Sequence, residues 1–142
     1  MYISVKKEGE TMKKNEALPD ERMTPAGEDY LMKIHELSHG GADPVRIRDL
    51  SLSLGVTPSS ASRMASAMGA RGYLNFRRYG YITLTEKGEK TGAYMRKRLA
   101  AATAHLASLR GIPEEDVAEE AARVAHNLSP ETVAALKENR AP

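Results

Sequence analysis

The stretch TPSSASRMASAMGARGYL, residues 57–74, carries two kinds of side chain at helical spacing. Ala61, Met64, Ala65 and Met68 fall at i, i+3, i+4 and i+7, a stripe that packs on a core. Ser59, Ser62, Arg63 and Ser66 point the other way, a row of small hydroxyls around one guanidinium. Small side chains let a helix backbone sit deep in the major groove of a duplex, and an arginine there reaches guanine O6 and N7 or a phosphate oxygen. Thr57 and Ser60 extend the hydroxyl row at the helix start. For a helix taken alone, a solvated serine-rich face would be the simpler reading. Two further cationic groups weigh against that: Arg46 and Arg48 upstream, and Arg77 and Arg78 with Tyr79 downstream.

Charge distribution supports the same chemistry. The chain of 142 residues has a net charge of only +2, yet residues 44–98 hold eleven Arg or Lys against three Asp or Glu. Residues 24–43 and residues 99–142 are each net −3, and residues 1–23 are neutral. A basic block set between acidic ones is the electrostatic footprint expected of a protein that grips a polyanion.

The elements that must position these residues are marked by proline. Thr24-Pro25, Asp43-Pro44, Thr57-Pro58, Ile112-Pro113 and Ser129-Pro130 each place proline where a first helical residue would stand, at no cost in hydrogen bonding. Four of the preceding residues have an oxygen able to cap the helix. With Thr85 as a sixth start, helices are expected at about 25–38, 44–54, 58–71, 86–110, 113–127 and 130–138. Gly55 closes the second and makes the sharp turn into the third. In YLNFRRYGYITL, residues 73–84, Leu74 and Phe76 alternate with polar neighbours, as do Ile82 and Leu84. Arg77 to Gly80 form the turn, so a two-stranded hairpin is expected.

These expectations give a mainly α fold, an N-terminal winged helix-turn-helix with a two-stranded wing followed by a C-terminal helical dimerisation domain. Residues 1–23 are expected to be a flexible tail, 24–88 the DNA-binding domain and 89–142 the dimerisation domain; Met12 and Met23 are alternative initiators to Met1. Met95, Leu99, Leu106 and Leu109 on the fourth helix form a heptad-like seam, which Val117 and Val124 on the fifth extend. One Phe and no Trp leave little bulk for a large core, so these stripes are expected to be buried in a homodimer. Its twofold axis would set two recognition helices about 34 Å apart on a palindrome of duplex DNA.

TPAGEDYLMKIHEL, VRIRDLSLSLGVTPSSASRMASAMGARGYL and YITLTEKGEK resemble the diphtheria toxin repressor family, most closely its small manganese-responsive members, over residues 24 to about 138. The resemblance implies a winged-helix repressor of metal-uptake or related genes, dimerised through its C-terminal helices. It also implies a Mn(II) or Fe(II) ion held between the first helix and the fourth and fifth. At the ligand positions so implied, Asp29 and His126 match. Met32 stands for a glutamate, Leu99 for a histidine, and Ala122 and Ala125 for acidic or thiol ligands, with Glu119 a displaced candidate two turns before His126. Two hard donors fall short of the shell these ions take. If no ion binds, Asp29 and His126 could pair directly, making DNA affinity independent of metal and sensitive to pH. His35, His39 and His105 are read as packed, loop and part-exposed residues.

Absence of cysteine removes disulfides and thiolate metal sites, and no apolar run is long enough to span a membrane, so a cytoplasmic location without membrane contact is expected. No Ser-His-Asp set, carboxylate pair or phosphate-binding glycine loop suggests an enzyme. The leading reading is a dimeric DNA-binding repressor. Its rivals are a metal-independent regulator sensing a small organic ligand or pH, and a winged helix used for protein contacts.

Overall fold

The computed structural model describes residues 18–20, 23–77 and 80–139. These form two compact units that divide between Met95 and Arg96.

In the first unit, α1 (Pro25–Leu37) opens as its sequence dictates: Thr24 accepts the Gly27 amide at 3.0 Å, with Pro25 at the first turn. His39, Gly40 and Gly41 then all take positive φ and turn the chain back. Asp43 does not cap a helix, contrary to expectation. Its carboxylate bonds His39 Nδ1 at 2.8 Å and its amide donates to the Ser38 carbonyl, so it is committed to the loop. The next residues are a short strand, β1 (Val45–Arg46), and α2 (Ile47–Leu54) begins only after it. The reason is burial: β-branched Val45 is 3% exposed and pairs with Ile82, which holds the backbone extended. Gly55, left-handed at φ 68°, ends α2 and leads into α3 (Pro58–Ala70), capped by Thr57.

The hairpin is β2 (Leu74–Phe76) and β3 (Tyr81–Leu84), with Leu74 opposite Leu84 and Phe76 opposite Ile82. Since β1 pairs along the other edge of β3, the sheet has three antiparallel strands in the order β1-β3-β2 rather than the expected two. Leu31, Ile34, Leu50, Ala61, Ala65 and Ile82 meet in the core beneath it. α4 (Glu86–Ala107) starts from Thr85, whose hydroxyl accepts the Gly88 amide and donates to the Gly72 carbonyl at 2.6 Å.

Of the expected tail, residues 18–20 and 23 are described. Tyr73 donates to the Asp20 carboxylate at 3.3 Å and accepts the Asp20 amide at 3.1 Å, and Met23 packs on the first core. Residues 1–17, 21 and 22 lie outside the described residues.

In the second unit the later part of α4 ends at Ala107, short of the expected Arg110, where the Ser108 side chain donates back to the His105 carbonyl. Pro113 leads into a 3-10 turn, Glu114–Asp116, before α5 (Val117–Ala125). α6 (Pro130–Glu138) is capped by Ser129 through the Thr132 amide at 3.1 Å. Ala102, Ala121 and Ala125 form this unit's core with Leu99, Leu106 and Leu128 against it.

Candidate nucleic-acid interface

α3 lays Ala61, Ala65 and Met68 on the core, which turns Ser59, Ser62, Arg63 and Ser66 outward as a consequence of helical spacing alone. These four line a groove of about 810 Å³. Its other wall comes from Arg46 and Ile47 at the junction of β1 and α2, and from Phe76, Gly80 and Tyr81 of the hairpin. Two guanidinium groups far apart in sequence, Arg46 and Arg63, therefore meet one concavity floored by hydroxyls. Among the described residues no carboxylate pairs with either. The Arg46 guanidinium lies over the Tyr81 ring, 5.6 Å from its centroid.

The remaining candidates are placed unevenly. Thr57 is occupied as the cap of α3: its hydroxyl accepts the Ser60 amide at 3.1 Å, donates to Ser60 Oγ at 3.0 Å and lies 3.3 Å from Ser59 Oγ. Ser60 is thus held to the cap and does not line the groove. Arg48 is exposed on α2 outside the groove. Arg77 is exposed at the hairpin turn, where its carbonyl accepts the Gly80 amide at 2.7 Å, beside two groove-lining residues. Arg78 and Tyr79 lie outside the described residues. Sequence reading missed Tyr81, 51% exposed and central to the groove wall. The signal was present: with Ile82 and Leu84 facing the core, Tyr81 and Thr83 must face out.

The metal candidates fall in both units. Asp29 is exposed on α1 and Met32 is half-buried against the first core. In the second unit Glu119 is exposed and bound by Arg123 at 3.0 Å, and His126 is half-buried at the end of α5. Ala125 is part of the second apolar core, Leu99 packs against it, and Ala122 is exposed. Among the described residues no three His, Asp or Glu side chains converge. At the positions that the family resemblance implies, Leu99, Ala122 and Ala125 offer methyl groups and Met32 a thioether, so beside Asp29 and His126 the set falls short of the oxygen and nitrogen shell that Mn(II) or Fe(II) takes.

The seam residues also part company. Met95 is fully buried in the first core and Val117 is buried too, so neither has surface to give a partner, contrary to expectation. Leu99 and Leu106 are half-buried on the second core, whereas Leu109 and Val124 are exposed at 44% and 41%. No helix among the described residues is long and apolar enough to cross a membrane.

Comparison with known proteins bears on both units. The family model described as the iron dependent repressor N-terminal DNA binding domain matches residues 22–82, and that for the iron dependent repressor metal binding and dimerisation domain matches residues 85–139. An uncharacterised HTH-type transcriptional regulator of Methanocaldococcus jannaschii is 31% identical over 115 residues, 81% of this chain and 92% of that one. The HTH-type transcriptional regulator MntR of Bacillus subtilis is 32% identical over 108 residues, 75% of this chain and 73% of that one. Among solved structures, T. acidophilum IdeR superposes with a TM-score of 0.65 at 27% identity, and the manganese regulator SloR with 0.68 at 22% identity. They cover 81% and 82% of this chain, which spans only 55% and 54% of theirs.

Proposed function

Because the chain belongs to the iron-dependent repressor family, we propose that it is a transcriptional repressor that grips duplex DNA as a homodimer through the groove between α3 and the hairpin. One observation carries this reading: Arg46 and Arg63, unpaired by any described carboxylate, converge with Ser59, Ser62 and Ser66 on a single concave surface. Arg63, on the exposed face of α3, is the base reader. Arg46, Arg48 and Arg77 are phosphate contacts around it. An operator selected from a random duplex pool provides the test. Arg63→Ala should weaken the selected site by about 5- to 150-fold, the worth of a good bidentate base contact, and random duplex far less. Arg77→Ala should weaken both alike and reduce the slope of log affinity against log salt by about 0.9. An Arg63→Ala variant that keeps the full preference for the selected site would refute this assignment.

A second reading is favoured by Leu99 and Ala125, which put apolar side chains of the second core at positions where the family resemblance implies metal ligands. On that reading the chain keeps the family's fold and its operator grip while needing neither Mn(II) nor Fe(II) to hold DNA.

A further inference from the structure

We propose that Arg46 and Tyr81 act as one unit, a prearranged clasp for a DNA phosphate in which the tyrosine ring holds the guanidinium at the edge of the groove. This rests on the DNA-binding reading above and adds a positioning residue to it. The two residues are direct partners in the β1-β3 ladder, so the backbone fixes their side chains as cross-strand neighbours. Arg46 Cζ stands 5.6 Å from the Tyr81 ring centroid, within cation–π range, and both line the groove that Arg63 faces.

Stacking occupies the face of a guanidinium but not its rim. The in-plane N–H groups stay available for two parallel bonds to phosphate oxygens. A ring beneath the guanidinium also restricts the long arginine side chain before DNA arrives, so less freedom is lost on binding. Among the described residues no carboxylate competes for Arg46. The pair also has no visible duty in the core, since Ile82 and Leu84 face inward and Tyr81 remains 51% exposed. By contrast Lys87, which also lies over a tyrosine, is bonded to the Arg71 carbonyl at 3.0 Å and stands over Tyr73 at 4.3 Å, a structural arrangement away from the groove.

The experiment titrates the full chain with a fluorescent duplex of random sequence over a salt series, with melting temperature as a check on folding. Arg46→Ala should lower affinity and make the salt slope shallower by about 0.9. Tyr81→Leu, which keeps apolar bulk but not the ring face, should lower affinity about two- to fivefold while the melting temperature falls by only a few degrees and the chain stays folded. Tyr81→Phe should recover most of that loss. In the Arg46→Ala background, Tyr81→Leu should cost nothing further, because its effect passes through the guanidinium. Arg46→Lys, which leaves the strand and the charge in place, should keep the salt slope while weakening the response to Tyr81→Leu. Independent, additive losses, or no change in Tyr81→Leu, would overturn the clasp while leaving the DNA reading intact. A wild-type chain with no salt-dependent affinity for duplex would remove both.

Discussion

Tyr73 shows how one side chain secures the region just before the first helix. Its hydroxyl both donates to and accepts from Asp20, and burial, the largest cause, raises its pKa above the ordinary value. Charge on the Asp20 carboxylate pushes the same way, while the bond from its amide opposes it. A raised native pKa means the folded state favours the neutral phenol. This contribution is therefore complete below the unfolded-state value near 10 and is lost as pH rises from there through the native value. Denaturant midpoints of the wild type should accordingly fall more between pH 8 and pH 11 than those of Tyr73→Phe. At pH 8 the variant should be the less stable by about 1 kcal/mol for the lost hydrogen bonds. Equal losses in both proteins over that pH range would show that Asp20 and the phenol do not form this contact in solution. The contact was not legible in the sequence, because it joins residues 53 positions apart. The Ser59, Ser62 and Arg63 face was legible, because it follows from helical period alone.

At the scale of elements, the proline rule worked where the preceding side chain was free to cap. Thr24, Thr57 and Ser129 each accept an amide three residues on, and α1, α3 and α6 begin where their sequences say. It failed at Asp43-Pro44, where the aspartate was drawn to His39 and Val45 into the ladder. No local pattern reports a strand of two residues whose partner lies 37 positions away. α4 is placed by a feature easier to overlook, the glycine in LTEKGEK. A Cβ at Gly88 would collide with the Tyr73 carbonyl, and one at Gly92 would stand 2.9 Å from His35 Cβ. The helix therefore approaches its own unit more closely than any alanine would allow. Gly88→Ala, although a better helix former, should destabilise the chain by about 1–3 kcal/mol because the obstacle is backbone and has nowhere to retreat. Thermal denaturation checks this directly. A variant as stable as wild type, through the gain in helix propensity, would show that α4 sits farther from the Tyr73 loop.

For the molecule as a whole, the sequence carries two messages, one for each unit. The first unit keeps the basic groove that a DNA reader needs, and its middle-third charge is legible despite a net charge of only +2. In the second unit the family's fold is kept, while the ligand positions implied by resemblance are given over to packing: Leu99 lies on the Ala102, Ala121 and Ala125 core, and Glu119 is held by Arg123. An ion acts as a corepressor only if it binds the DNA-competent state more tightly, which for typical allosteric coupling amounts to about 5- to 150-fold in operator affinity. On the metal-independent reading proposed above, a site with so few hard donors does not develop that difference. Operator affinity measured after treatment with a chelator should therefore match, within about twofold and so below the range of such coupling, the affinity with Mn(II) or Fe(II) restored. Replacing His126 or Asp29 by Ala should leave that ratio unchanged. A drop of tenfold or more on chelation, reversed by Mn(II) and abolished in His126→Ala, would mean that His126 still anchors a working site, completed by donors other than Leu99, Ala122 and Ala125.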